Sequence, residues 1–416
     1  MAAPVNPPRG MRDFLPAEKA RRERILSVIR AAYRDHGFDE IETPVMEDSA
    51  RLHAGLGGDN EKLAFGVLKR GLTRETIAAA REPLDLVDLG LRFDLTVPLA
   101  RFYATHRAEL PSVFRAIQIA PVWRAERPQK GRFRQFVQCD IDILGEPGAL
   151  AEIELITATA DVLDRLGLRE CTIRINDRRI LSRLLAAWGV PAEVREPALV
   201  TLDKLDKIGV DGVVAELAER EFGDAELIRA TLHELAALGD GWSLLDGEAP
   251  AWLDGGVYRE LLELRDAIPS ARLVFSPDLV RGMGYYTGTI FEVAHPDLPY
   301  SLGGGGRYDG MIGRFLGTEV PAVGFSLGFE RLVELVDLPL ESAADAVALL
   351  HDGAAPAALA RLKADLVRAG HRVRLAKRAK TVKTQLEQLA GEGYTRFAFV
   401  GPDTQAAADL ELRDLT

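Results

Sequence analysis

The stretch Ala116–Leu144, AIQIAPVWRAERPQKGRFRQFVQCDIDIL, constrains the fold more than any other part of the chain. Successive side chains of a strand point to opposite faces. At that period Ile117, Ile119 and Trp123 fall on one face, and Gln118, Arg124 and Glu126 on the other. The second half divides in the same way: Phe133, Val137, Cys139, Ile141 and Ile143 oppose Arg132, Arg134, Gln138, Asp140 and Asp142, with Phe136 the apolar exception. Pro128, Lys130 and Gly131 supply the turn between them. The expectation is an antiparallel pair whose apolar face meets a core. For its polar face two readings fit. One is a solvated surface crossed by ion pairs. The other is the floor of a site for a ligand anionic at one end and cationic at the other, because guanidinium forks suit phosphate and carboxylate.

A chain of 416 residues has room for two or three domains with full cores. The formal net charge of -11 argues against global attraction to nucleic acid, although a local basic patch can still supply it. Cys139 and Cys171 sit in strand-like apolar patterns and read as buried thiols of a reducing compartment rather than a disulfide framework. With no run of about 18 apolar residues and no signal-peptide layout, the expectation is a soluble, cytoplasmic protein without a membrane partner. The seven histidines lack metal-ligand spacing, so no metal held by protein ligands is expected.

Elsewhere the pattern is helical from about Ala17 to His36, with Leu26, Ile29 and Tyr33 on one stripe. Phe38–Glu47 reads as a strand carrying Pro44, which confines it to an edge or interface. The Gly-rich, then polar stretch Gly55–Leu91 has no close assignment. In Leu91–Thr96 the alternation gathers Arg92, Asp94 and Thr96, and Asp94 reads equally as an ammonium ligand or as a cap for the helix starting at Val97-Pro98. Ala149–Gly167 is helical and Cys171–Asn176 a short strand. Residues 177–269 read as a helical insertion broken at Gly209, Gly212 and Gly241, without a chemical motif.

Leu279–Glu292 then reads as a strand, with Tyr286 and Gly288 on one side and Tyr285 on the core side. Ser301–Gly310, SLGGGGRYDG, lacks the Lys-Ser/Thr of a phosphate loop, so its glycines read as allowing close backbone approach to a ligand or neighbouring strand. Pro321–Gly328 is a strand of small residues, and Phe329 opens a helix whose first-turn Arg331 opposes the helix dipole, as expected where an anion sits nearby.

Taken together, Gly37–Glu47, Ala116–Leu144 and Gly324–Leu332 resemble motifs 1, 2 and 3 of the class II aminoacyl-tRNA synthetases. Arg281–Gly288 and Leu302–Gly310 resemble the two signature peptides of the histidyl-tRNA synthetase family, and Asp94-Leu95-Thr96 its amino-group site. The likeness runs in order through roughly the first 335 residues. It implies an α+β fold: a class II antiparallel sheet with helices, a helical insertion and a small C-terminal α/β domain. It also implies a catalytic core over 1–176 and 270–340, interrupted by the insertion 177–269 and followed by an anticodon-binding-like domain over 341–416.

The same resemblance implies roles. Arg124 would hold the α-phosphate of ATP and the attacking carboxylate, Glu126 would lie near the adenine, and Arg132 and Arg331 would take the γ-phosphate. Asp94, Thr96 and Gln138 would hold the histidine ammonium, Asp142 and Tyr286 its imidazole, with Tyr285 and Tyr308 completing the pocket. Arg281 would neutralise the transferring phosphate, so Arg281 and Arg124 are the catalytic pair. ATP, Mg²⁺, histidine and tRNA(His) are the implied ligands, Arg127 and Gln129 further candidates for tRNA contact, and a homodimer through the motif 1 region the implied assembly.

Two departures stand out. Family members generally carry Asp where this chain has Gly284, and the tail stops early. That tail reads strand Val347–Leu350, helix Ala354–Gly370, strand Arg372–Leu375, helix Lys380–Gly391, strand Phe397–Val400. Arg372, Arg374, Lys377, Arg378, Lys380 and Lys383 make it locally basic, either as a solvated helix start or, more in keeping with their mutual repulsion, as an RNA contact. Three functions compete on the sequence: the synthetase, a histidine-binding regulatory subunit of ATP phosphoribosyltransferase, and a ligase that activates histidine for another acceptor.

Overall fold

The computed structural model describes residues 5–415 apart from 55–61, 130, 246–247, 283 and 339–345. Lys130 of the hairpin turn, Met283, the start of the Gly55–Leu91 stretch and the boundary drawn at 340/341 lie outside the described residues. The chain forms two compact units, one of Met1–Asp13 and Ile25–Asp337, the other of Phe14–Arg24 and Leu338–Thr416.

The first unit is built on an eight-stranded sheet of β1 (Asp39–Glu40), β5 (Phe114–Trp123), β6 (Gln135–Leu144), β7 (Thr172–Asp177), β8 (Leu273–Phe275), β9 (Thr289–Ala294), β10 (Gly303–Arg307) and β11 (Ala322–Gly328). Their order is β1-β5-β6-β11-β10-β9-β7-β8. A second sheet holds β2 (Met46–Asp48), β4 (Val87–Leu91) and β3 (Phe65–Leu68) in that order. β5 and β6 pair antiparallel from Phe114↔Leu144 to Trp123↔Gln135, and β6 pairs on its other side with β11. Their apolar face buries Ile117, Cys139, Ile141 and Ile143 completely, and helix Leu150–Arg165 packs there through Ala151, Leu155 and Ile156. Each buried isoleucine contributes on the order of 1.5–3 kcal/mol.

The structure shortens several expected strands. β5 stops at Trp123 and β6 begins at Gln135, so Arg124, Glu126 and Arg132 stand on the connecting loop rather than on strands. Phe38–Glu47 is not one strand: β1 lies parallel to β5 at the sheet edge, and beyond Pro44 the chain joins the second sheet as β2. Residues 279–282 and 284–288 are not in a strand, and the Asn176 amide donates to the carbonyls of Pro277 (3.0 Å) and Leu279 (3.1 Å). The strand starts only at Thr289.

The glycines of β10 meet neighbouring strands. A Cβ on Gly304 would lie 2.6 Å from the Phe291 carbonyl oxygen and 2.7 Å from Arg281 Cζ, and one on Gly305 would overlap the Gly324 carbonyl. Residues 177–269 carry helices Arg178–Ala187, Arg195–Leu202, Leu205–Glu219, Ala225–Ala236 and Gly255–Ala267. Gly209 kinks the third of these at φ 69°, whereas Gly212 lies inside it without a break.

In the second unit β12 (Ala346–His351), β13 (Arg372–Lys377) and β14 (Arg396–Val400) run parallel, and β15 (Arg413–Asp414) adds antiparallel to β14. β12 buries both faces, Val347 and Leu349 against helix Pro356–Arg368, Ala348 and Leu350 beside Leu389 and Tyr394. A continuous apolar run is what a parallel strand covered on both faces requires.

Candidate active site

Gln138, Asp140 and Asp142 follow one another along the polar face of β6 and line a cavity of about 630 Å³ in the first unit. The ladder sets Gly328, Ser326 and Gly324 of β11 beside them. Gly324 is required there, since any Cβ would collide with Asp142 Oδ1. The Tyr308 hydroxyl donates to that oxygen at 2.6 Å. Burial pushes the Asp142 carboxyl up to about 7, the Tyr308 hydrogen bond opposing the rise and the Asp94 charge adding to it. Asp140 is raised well above the usual carboxylate range, by burial first and by Asp142 next, while the Ser326 hydroxyl donates to it. Gln138 Nε2 donates to Ser326 Oγ at 2.8 Å, and Gln138 Oε1 is buried without a hydrogen-bond partner.

Asp94 and Thr96 line the same cavity. Asp94 Oδ1 also accepts from the Val97 amide (3.2 Å) at the head of helix Thr96–His106, so the capping role and the cavity position coexist. Tyr285 lines the cavity too, against the core-side expectation, because residues 284–288 lie outside any strand and carry no strand alternation. Its ring lies 4.8 Å from that of Tyr286 and 5.9 Å, edge on, from that of Tyr308. Burial raises all three phenols, which therefore remain hydroxyl donors at neutral pH.

Four arginines complete the wall. Arg124 Nε donates to the Phe93 carbonyl at 3.0 Å, with its guanidinium 5.1 Å from the Phe136 ring centroid. Burial lowers its pKa against the opposing pull of Asp94 and Glu126, but arginine stays charged. Arg132 Nη1 donates to Glu126 at 3.2 Å. Arg331 stacks 4.8 Å from the Tyr300 centroid and donates to the carbonyls of Ser301 and Gly131. Its pKa is depressed by burial and then by Arg132, with Arg281 adding a smaller share. Arg281 Nη1 donates to Glu292 at 2.8 Å, while its Nε is buried with no hydrogen-bond partner. Burial disfavours that charge, yet Tyr286, Glu292 and Asp203 more than offset it. Cations this close, with a donor left unpaired, form a receptor for a polyanion.

All twelve residues assigned to histidine or ATP thus line one cavity. Arg127 and Gln129 are exposed on the loop and do not line it, and Arg378 and Lys380 are exposed in the second unit, Arg378 over the Phe399 ring at 4.5 Å. Sequence reasoning missed Arg174, Asp203, Asp206, Lys207 and Glu292, which also line the cavity. Asp203 to Lys207 belong to the insertion that reads as motif-free, and no local pattern marks them. Arg174 was discoverable only as a charge in the apolar β7 pattern. Among the described residues, the cluster with metal-ligand geometry is Glu170, His295 and Asp297, away from the cavity lining.

A family model described as histidyl-tRNA synthetase matches residues 10–332. The chain is 61% identical to the histidine–tRNA ligase of Leifsonia xyli subsp. xyli (strain CTCB07), covering 100% of both chains. The solved histidyl-tRNA synthetase from Nostoc sp. PCC 7120 superposes with a TM-score of 0.75 at 25% identity, over 100% of this chain and 95% of that one. A Bacillus halodurans C protein described as an ATP phosphoribosyltransferase regulatory subunit/histidyl-tRNA synthetase shares the fold, with a TM-score of 0.76 at 21% identity over 97% of this chain and 100% of that one.

Proposed function

This chain belongs to the histidyl-tRNA synthetase family, and from that premise we propose that it activates histidine with ATP and transfers it to the 3′ end of tRNA(His). It is an ATP-dependent aminoacyl-tRNA ligase. The observation that carries the residue roles is a single cavity holding both the buried carboxylates of β6 and the cluster Arg124, Arg281 and Arg331.

Asp94, Thr96 and Gln138 hold the α-ammonium of histidine. Asp142 and Tyr286 bracket the imidazole, with Tyr308 fixing the Asp142 carboxylate and Tyr285 closing the ring wall. Glu126 lies at the adenine and Arg132 and Arg331 take the γ-phosphate; Mg²⁺ bound with the nucleotide would supply further screening of phosphate charge. Arg124 brings the histidine carboxylate and the α-phosphate together. A carboxylate oxygen attacks the α-phosphorus, the bond to the bridging oxygen breaks, and pyrophosphate departs. This step needs no general base, since the carboxylate is ionised at neutral pH. Arg281 neutralises charge on the α-phosphate as it builds. A terminal ribose hydroxyl of the tRNA then attacks the acyl carbon and AMP leaves.

The exposed basic residues Arg378 and Lys380, with Arg127 and Gln129, serve the tRNA. The assembly is a cytoplasmic homodimer joined through the motif 1 region, where the edge strand β1 lies. No helix among the described residues is long and apolar enough to cross a membrane.

The test is pyrophosphate exchange into ATP, which should require histidine and Mg²⁺ and be followed by charging of bulk tRNA. Histidine binding without exchange would instead indicate a regulatory subunit, and exchange without charging a different acceptor. The arginines speak against the regulator, because gathering Arg124, Arg281 and Arg331 at one cavity, with Arg281 Nε left without a hydrogen-bond partner, is costly without an anion to bind.

A further inference from the structure

We propose that Asp140 is a further substrate-binding residue, forming with Asp94 a two-carboxylate receptor for the α-ammonium of the amino acid. This rests on the reading of the cavity as a histidine pocket. Asp140 is 4% exposed, lines the cavity, and stands on β6 between Gln138 and Asp142. Its protein partners are neutral: the Ser326 hydroxyl, and Gln138 Nε2 at 3.4 and 3.5 Å. Among the described residues it forms no ion pair of its own. The other charges that act on it are two carboxylates, Asp142 and Asp94, and one guanidinium, Arg124, already bonded to the Phe93 carbonyl. If Ser326 and Gln138 were its whole purpose, an asparagine or serine would meet them without the cost of a buried charge.

The neighbouring strand places Asp94 beside it. Gln118 of β5 pairs directly with Asp140, yet its amide turns away and donates to the Leu95 carbonyl at 2.9 Å, tying the Asp94–Thr96 segment to this point of the sheet. Gln138 lines the same cavity, and its Oε1 is buried without a hydrogen-bond partner. A primary ammonium offers three donors. Asp94 and Asp140 line the cavity together with Thr96 and Gln138, so Asp140 adds an acceptor to the set already given to the ammonium, and the substrate's positive charge compensates the carboxylate excess.

The experiment compares histidine with 3-(imidazol-4-yl)propionate, which keeps the ring and carboxylate but lacks the amine, in wild type and Asp140→Asn. Histidine-dependent pyrophosphate exchange should show the KM for histidine raised about 10- to 100-fold in the variant, the loss expected of a charged hydrogen bond. The KM for ATP and the inhibition constant of the amine-free analogue should change little. Equal losses for histidine and the analogue, or no loss for either, would overturn the proposal. Asp140→Ser repeats the comparison should the asparagine variant not fold. Independently of both, a wild-type preference for histidine over the analogue below about tenfold would overturn it. A wild-type protein whose exchange ignores histidine would refute the pocket reading itself, a distinguishable result.

Discussion

Replacing Arg281 with alanine removes the guanidinium assigned to the α-phosphate, and the structure says what else is lost with it. Arg281 Nη1 pairs with Glu292 at 2.8 Å, and breaking a buried pair commonly costs about 3–5 kcal/mol when the partner is stranded. Here Glu292 is not stranded: Arg174 Nη1 donates to its other oxygen at 3.3 Å, and Arg174 is held in turn by Asp278 at 3.0 Å. The stability cost should therefore fall well below that range, leaving a folded protein to assay. Catalysis should suffer more. On the role proposed for Arg281 its unpartnered Nε is free to donate to the substrate, and loss of one such donor costs about 10²–10³ in rate. Histidine-dependent pyrophosphate exchange should show that fall in kcat, with the KM for histidine less affected. Exchange near the wild-type rate in a variant of normal thermal stability would refute the role given to Arg281.

Tyr308→Phe tests the titration of Asp142: the lost hydrogen bond had been lowering a carboxyl that stands at about 7, so the acid limb of kcat/KM for histidine should move to higher pH. A limb left in place would mean that it belongs to histidine's own imidazole. Asp142→Ala should raise the KM for histidine and relax discrimination against apolar amino acids, which in a hydrogen-bonding site can reach about 10⁴–10⁵; a fall in ATP affinity alone would place Asp142 on the nucleotide side. A Cβ at Gly284 would lie 4.0 Å from Glu196 Oε2, so Gly284→Asp sets two carboxylates near each other and should change exchange by less than about fivefold, the scale of an exposed charge contact. A large gain would show that Arg281 lacks support in the native chain. Arg378→Glu with Lys380→Glu should flatten the salt dependence of tRNA binding by about one log–log unit per lost phosphate contact, and an unchanged slope would make the patch ordinary surface.

The parts of the molecule that depend on a residue's nearest neighbours along the chain were legible in the sequence. Alternation at a period of two is a property of the extended backbone itself, so it placed Gln138, Asp140 and Asp142 on one face of β6, and Cys139, Ile141 and Ile143 on the buried other. The tail could be read as alternating strands and helices for the same reason, its ends shifting by only one or two residues. Asp94 belonged to a class in which local pattern offers two answers, and the structure shows the cap at a residue that also lines the cavity.

What lay beyond local pattern was decided by partners remote in the chain. The Asn176 amide donates to the Leu279 carbonyl 103 residues away, the expected strand begins only at Thr289, and Tyr285 lines the cavity. Likewise burial raises the Asp142 carboxyl to about 7, and a hydroxyl 166 residues further on holds that rise back. Asp203, Asp206 and Lys207 reach the cavity from an insertion with no motif of its own. Strand period and hydrophobic face follow from covalent geometry and solvent, which every segment carries with it. The protonation of a carboxylate and the direction of a loop side chain depend on how much water and which charges surround them, and only the assembled sheet and its insertion determine that.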